Sequence, residues 1–447
     1  MEEVTLQQML EAREARVRAQ EALVGKYGLP LVSFCMNIPG PVKSSPLILR
    51  GFQEGITRLE LALHQQKLAV VWSAQAREIT GPEALYVVDA PASRLKALCL
   101  ELEEQDGLGR LFDMDVLAPD GAKLDRPTPR ACLVCGKAGK GCASRRVHSV
   151  AQLQEAVRDI LTDHFRNSDR ERCAALVTQA LLDEVCTTPK PGLVDRANAG
   201  SHRDMDIFTF TRSAAALAPY WLDCVRIGQE TAHLPPAETF PPLRERGKVA
   251  EREMYRATGG INTHKGAIFT LGILCGAVGR LWRAEAPCRD PEALAMECAR
   301  IYGPALESDR QAMAETAMPQ TAGERLWLTQ GVGGVRAEVA GGLPGVIRTA
   351  LPALEDALNR GCSRNDAGVT ALLHLIALGE DTNMVHRGGA AAAQAGAQAA
   401  ALLAASPLPD LARVAELDAR FMEQNLSPGG CADLLSAAWF LHDWKNG

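Results

Sequence analysis

Gly259-Gly260-Ile261-Asn262-Thr263-His264-Lys265-Gly266 opens the apolar run Ala267 to Gly279. The run has the length of a buried helix and is too short and too glycine-rich to span a bilayer. The glycines let the backbone approach a ligand, while Asn, Thr, His and Lys supply donors. The helix start adds its own free N–H groups. This is how a chain builds a phosphate cradle without a Rossmann or P-loop signature, and neither signature occurs. A glycine turn before a core helix has the same pattern, so the weight falls on the surrounding segments.

Outward from this stretch the chain reads as helix. Apolar spacings of three and four predict helices over 151–167, 173–186, 208–228, 267–284, 291–302, 343–361, 365–378, 390–405, 408–424 and 431–444. Strand-like alternation is nearly absent there, so the second domain is expected to be all-α. Toward the N-terminus the texture differs. Thr5-Leu6-Gln7-Gln8 is a capping-box pattern, opening a helix that ends near Gly25. Short β-prone runs follow at 31–35, 68–72, 85–89 and 111–117, alternating with helical stretches such as 91–104. That alternation predicts an α/β or α+β first domain, with the boundary between about Ser149 and Asp169.

At 447 residues, 47% apolar and 23% charged, the chain suits two or three globular domains. A net charge of −6 argues against a general nucleic-acid or anionic-membrane binder. Thirteen scattered cysteines and an N-terminus without signal-peptide character point to a reducing, cytoplasmic setting.

In the first domain, Asp113 and Asp115 sit two apart on a predicted strand and share a face. Two adjacent carboxylates need a cation or proton between them, and Mg²⁺ bridging to a polyphosphate is one remedy. An ordinary wet strand face is the other reading. Asn37-Ile38-Pro39-Gly40-Pro41-Val42-Lys43 is a rigid turn presenting Asn37 and Lys43. Cys132, Cys135, Cys142 and His148 have a spacing zinc could use. The basic pair Arg145-Arg146 beside them argues against zinc and for a phosphate clamp in which the cysteines merely pack.

In the second domain, Thr188-Pro189-Lys190-Pro191-Gly192-Leu193-Val194-Asp195 and Gly200-Ser201-His202-Arg203-Asp204-Met205-Asp206 crowd ionisable side chains into one helix connector. Lys190 and His202 are candidate phosphate contacts, and Asp195, Asp204 and Asp206 candidate Mg²⁺ ligands. Asn365-Asp366, Asp381-Thr382-Asn383, His386-Arg387 and Ser427-Pro428-Gly429-Gly430 add further polar helix ends. So many predict that helix termini converge on a polyphosphate site.

With these segments the chain resembles two enzyme families of citrate lyase prosthetic-group assembly, fused head to tail. Residues 1–160 resemble apo-citrate lyase phosphoribosyl-dephospho-CoA transferase, through the Asn37–Lys43 turn, Gly109-Arg110-Leu111-Phe112-Asp113-Met114-Asp115-Val116 and the Cys132–Ser149 cluster. Residues 165–447 resemble triphosphoribosyl-dephospho-CoA synthase, through the second-domain segments just quoted and Gly260–Gly266. The resemblance implies two steps. The 2′-hydroxyl of 3′-dephospho-CoA displaces adenine from ATP. Phosphoribosyl-dephospho-CoA then passes to a serine of the apo acyl-carrier subunit of citrate lyase, releasing pyrophosphate.

The residue chemistry suits both steps. Asp113, Asp115, Asp195, Asp204, His202 and His264 are the catalytic candidates. Asn37, Lys43, Arg145, Arg146, Lys190, Asn262, Lys265, Asn383 and Arg387 are the ligand-binding candidates. Asp113, Asp115, Asp204, Asp366 and Asp381 are candidates for Mg²⁺. The first domain lacks a clean Gly-Ser loop before the paired aspartates, so a nucleotidyltransferase-like fold there rests on analogy. Competing readings are the same chemistry for malonate decarboxylase, a hydrolase of ADP-ribosyl groups with two metals, and a non-enzymatic carrier-binding scaffold with a zinc knuckle.

Overall fold

Period-two burial builds the first unit. In the computed structural model, which describes residues 2–137, 142, 145–316, 334–379, 381, 384, 390–406 and 408–447, the chain divides into two units. The first comprises Met1–Ser168 with Arg283–Ala286, the second Asp169–Trp282 with Pro287–Gly447. Helix α1 (Leu6–Tyr27) starts on the Thr5/Gln8 capping box and ends at Gly28, whose left-handed φ of 61° suits a glycine cap. Strands β1 (Leu31–Met36), β2 (Ala69–Glu78), β3 (Gly81–Asp89) and β4 (Phe112–Leu117) form one sheet in the order β2-β3-β1-β4. Every neighbouring pair is antiparallel, which makes the unit α+β rather than α/β.

Helices α2 (Pro46–Gln65) and α3 (Ala92–Glu104) complete the unit. Gly55 of α2 is where a Cβ would come within 2.5 Å of the Phe34 ring, so its absence lets α2 lie on β1. Phe34 in turn stacks on Phe52 at 4.9 Å and meets the edge of Phe112 at 5.4 Å. Strand β2 is the exposed edge, pairing only with β3.

Helix α4 (Val150–Cys186) is continuous where sequence spacing suggested two helices. The linking residues, Ser168-Asp169-Arg170-Glu171-Arg172, are polar but contain no Gly or Pro, so nothing breaks the helix. The second unit is otherwise built from α5 (Ile207–Thr231), α6 (Phe240–Thr258), α7 (Lys265–Arg280), α8 (Pro291–Thr316), α9 (Gly334–Ala340), α10 (Leu351–Asn359), α11 (Arg364–Ala377), α12 (Ala390–Ala405), α13 (Leu411–Glu423) and α14 (Gly429–Asn446). No strand occurs in it among the described residues. Helix α6 escaped the sequence reading because its polar face is densely charged and Pro241 and Pro242 open it.

Helix α7 is the centre of this unit, with nearly every residue from Ala267 to Arg280 buried. Its glycines are spacers. A Cβ on Gly279 would stand 2.1 Å from the Val225 carbonyl, and one on Gly228 of α5 2.1 Å from that of Gly276. The two backbones meet without side chains between them, which only glycine permits. Among the described residues no helix is long and apolar enough to cross a membrane.

Candidate functional site

Each unit holds a charged cavity. In the first, β4 alternates buried Met114 and Val116 with half-exposed Asp113 and Asp115, so the two carboxylates share a face as the spacing predicts. They line a cavity of 1380 Å³ together with Asn37, Arg146 and His148. Neither carboxylate is bare: Asp113 meets Arg130 at 3.0 Å and Asp115 meets Lys123 at 2.6 Å. Cys35, opposite Asp113 in the β1–β4 register, has its thiol pushed up to about 12, first by burial and then by that carboxylate.

Residues that sequence reasoning missed organise this wall. Glu103, buried at the end of α3, accepts from the Met114 N–H at 2.7 Å and from Arg130 at 2.6 Å, and pairs with Arg126. Burial raises its pKa, against the pull of those donors. Arg130 therefore bridges Glu103 and Asp113, and the buried Lys96 reaches the Met114 carbonyl at 3.4 Å. No local motif marks Glu103, because it acts from another element. Two predicted residues stand apart from the cavity wall. Lys43 donates to the Ile38 carbonyl within its own turn, and Arg145 lies in an exposed turn.

Beside this wall the sulfur and nitrogen atoms of Cys132, Cys135, Cys142 and His148 all lie within 4.8 Å of one another. The backbone N–H of Cys135 lowers the Cys132 pKa most, helped by that of Val134. Cys142 is pushed up to about 11 by its contact with Cys135. All thirteen cysteines are free thiols.

In the second unit, the loop after α4 folds back because Asp195 accepts the N–H groups of Lys190, Ala197 and Asn198. Asp418 of α13 clamps the same loop through the Gly192 N–H and the Asn198 amide, both at 2.8 Å. The loop, the α7 start and the α14 start enclose a 360 Å³ cavity lined by Lys190, His202, Asp204, Asn262, His264 and Lys265 among others. Six predicted residues thus come together. The Asp195 carboxylate is committed to loop backbone. Asp381 likewise accepts the Met384 and Cys431 N–H groups at 2.9 Å each, capping α14, and Asp366 sits in the first turn of α11. Asn383 and Arg387 lie outside the described residues.

Glu184 and Asp433, which stand in helix-end strings but were not among the named candidates, also line this wall. Lys190 is 1% exposed and Glu184 2%, and the two form an ion pair. Asp433 is wedged against Gly266, where a Cβ would stand 1.8 Å from its Oδ2, and accepts the Ala267 N–H at the α7 start. Burial, with Glu184 and Asp381 nearby, pushes Asp433 well above the ordinary carboxylate range. His264 has an imidazole held neutral, its pKa lowered to about 3 by burial and then by Lys190. Its Nδ1 meets Ser213 Oγ at 2.7 Å, whereas its buried Nε2 has no hydrogen-bond partner. His202 Nε2 lies 2.9 Å from Ser427 Oγ.

Two separate cavities, each lined by cations and carboxylates, describe a two-site enzyme acting on multiply charged substrates. Residues 170–447 match the family model for ATP:dephospho-CoA triphosphoribosyl transferase, and the chain belongs to that family. Residues 4–164 match the model for apo-citrate lyase phosphoribosyl-dephospho-CoA transferase. The chain is similar end to end to "Protein CitXG" of Haemophilus influenzae, 34% identical over 99% of this chain and 97% of the relative. A "Protein CitXG" of Leuconostoc mesenteroides subsp. cremoris is 31% identical over 98% and 97%. A probable 2-(5''-triphosphoribosyl)-3'-dephosphocoenzyme-A synthase of Vibrio cholerae is 42% identical over 60% of this chain and 86% of its own. The protein is a multifunctional transferase of citrate lyase prosthetic-group biosynthesis.

Proposed function

We propose that the two steps are divided between the two cavities, with residues 165–447 making 2′-(5″-triphosphoribosyl)-3′-dephospho-CoA and residues 1–160 transferring it. The carrying observation is the convergence of Lys190, His202, Asp204, Asn262, His264 and Lys265 on one cavity at a helix N-terminus. In the synthase step the 2′-hydroxyl of dephospho-CoA forms a bond to C1 of the ATP ribose as the bond to adenine N9 breaks. Asp204, exposed at the cavity, takes the hydroxyl proton. Thr263 donates to Ser213, leaving the Ser213 proton for His264 Nδ1. The ring proton then sits on the buried, unpartnered Nε2, from which neutral His264 hydrogen-bonds the leaving base or a phosphate oxygen, and the departing adenine takes its proton from solvent. Lys265, at the start of α7, takes the triphosphate.

The donor set suits Mg²⁺: Glu184 and Asp433 line the cavity around one buried lysine, leaving excess negative charge. They would hold the ion, which would neutralise charge on the triphosphate and leave Asp204 as the base. Since Mg²⁺ keeps waters and shares phosphate oxygens, no tight protein cage is required.

In the transfer step the carrier serine oxygen bonds to the α-phosphorus as the bond to pyrophosphate breaks, and the serine proton passes to solvent. Arg130, Lys123 and Arg146 are placed to move onto the phosphates, freeing Asp113 and Asp115 for Mg²⁺. The carrier is the apo acyl-carrier subunit of citrate lyase, and the setting is cytoplasmic. The paired aspartates on a small sheet are consistent with a nucleotidyltransferase-like unit. The match of residues 4–164 to the apo-citrate lyase family favours this carrier over malonate decarboxylase.

The test is free adenine measured by HPLC with ATP, Mg²⁺ and 3′-dephospho-CoA. Release that depends on dephospho-CoA and is lost in His264→Ala supports the synthase cavity. Release without acceptor would instead indicate a hydrolase.

A further inference from the structure

The Cys132, Cys135, Cys142 and His148 cluster has no role in either transfer step, yet its geometry is specific. Cys132 to Gly136 forms a tight knuckle, closed by Gly136 N–H donating to the Cys132 carbonyl at 3.0 Å and Cys132 N–H to the Lys137 carbonyl at 2.7 Å. Gly136 is left-handed, with φ of 69°.

The other half comes from Cys142 and His148. His148 directly precedes Ser149, which accepts the Gln152 N–H at the start of α4 and so fixes the histidine backbone. The His148 Nε2 is enclosed and has no hydrogen-bond partner, an unusual state for a polar atom of a cavity-lining side chain. Cys135 and Cys142 sulfurs are 3.5 Å apart. In a tetrahedral zinc site with Zn–S near 2.3 Å, sulfurs stand about 3.8 Å apart. Four ligand atoms within 4.8 Å of one another therefore need only a small contraction around an ion.

We infer that Cys132, Cys135, Cys142 and His148 form a structural Zn²⁺ site that pins the loop carrying Arg130 and Arg146 to the wall of the transferase cavity. Four protein ligands saturate a tetrahedral ion, leaving no open position for substrate. Three sulfurs and one imidazole nitrogen select zinc over Mg²⁺ or Ca²⁺. Arg130, two residues before the first ligand, reaches Asp113, and Arg146, two before the last, lines the same cavity with a left-handed φ of 46°. The ion would hold these two arginines in register across the cavity. The packing reading, in which the thiols merely fill space, leaves the enclosed His148 nitrogen without purpose.

The experiment uses the full chain purified under reducing conditions without chelator. Metal analysis is expected to give about one zinc per chain, as one closed site requires. Exchange into Co²⁺ should give the intense visible bands of a tetrahedral site together with thiolate-to-cobalt charge transfer. Cys135→Ser and His148→Ala should each lose the metal, and raise KM for carrier transfer while adenine release is unchanged. Zinc absent from the reduced wild-type chain, iron in its place, or full zinc retained in the Cys135→Ser/Cys142→Ser double variant would each overturn the site. So would a Cys135–Cys142 disulfide recovered by peptide mapping from the protein as purified. Should a variant not fold by circular dichroism, the cobalt spectrum of the wild-type chain decides by itself.

Discussion

Under the proposed division of labour the two cavities face one problem, holding a polyphosphate, with opposite treatments of charge. In the first unit the ion pairs of Asp113 and Asp115 are half-exposed and stand on a strand face: the Lys123 and Asp115 side chains are 59% and 30% accessible. In the second, Lys190, Glu184 and His264 are buried within helix ends, His264 at only 3% exposure. The first cavity is 1380 Å³ and the second 360 Å³. A cavity that must receive a serine on another protein has to be reachable. One that joins two small molecules gains from excluding water, which strengthens every charge inside it. The difference teaches that charge in the first unit is available for exchange, whereas in the second it is part of the fold.

The largest effect should come from Lys190→Met. It leaves Glu184 as an unpaired buried carboxylate, whose pKa burial already raises. The expected stability loss is about 3–5 kcal/mol, with adenine release abolished, measured by urea unfolding and HPLC. Against it stands Asp115→Asn in the first unit, expected to change stability by no more than about 1 kcal/mol. Equal losses from the two variants would break the comparison.

Gly266→Ala is next. The added methyl meets Asp433 Oδ2 and must displace it from the α7 start, at a cost of about 1–3 kcal/mol. Adenine release should fall with it, while carrier labelling from preformed triphosphoribosyl-dephospho-CoA persists. Asp113→Asn sharpens the contrast from the other side: carrier labelling is abolished and adenine release remains. Loss of adenine release in that variant would undo the division of labour.

The last contrast is in pH dependence. His264 is held at about 3 in the folded chain against an unfolded value of 6.5. Between those values the unfolded chain binds the extra proton, so stability falls as pH drops through that window. The slope approaches about 1.4 kcal/mol per pH unit. Asp433, raised in the fold, works in the opposite sense as pH rises above 3.8. The His264 contribution is therefore read as the difference between wild type and His264→Gln in unfolding midpoints from pH 4 to 7. Parallel curves would show that the histidine is not held neutral.

Much of this was legible before any coordinates. Four strands were placed by β-prone runs, and the Thr5/Gln8 capping box forms as written. The sharing of one face by Asp113 and Asp115 follows from strand period alone. Six of the second cavity's wall residues came from polar clusters at helix ends. At the sites, what escaped is Glu103, which acts on groups supplied by other elements, so no local pattern reveals it. Conversely, the Asp195 carboxylate satisfies its own loop's N–H groups, a fate that an aspartate among glycines and prolines cannot declare from sequence.

The sequence by itself determined which stretches are helix or strand, because propensity, capping and hydrophobic period act within a few residues. It also determined the family, because the polar motifs are local strings. The tertiary structure alone decided which charges are buried and paired, and that three cysteines and a histidine spread over 17 residues meet. Those outcomes depend on desolvation and on distances between segments far apart in the chain. Neither quantity is a property of any residue's neighbours in sequence.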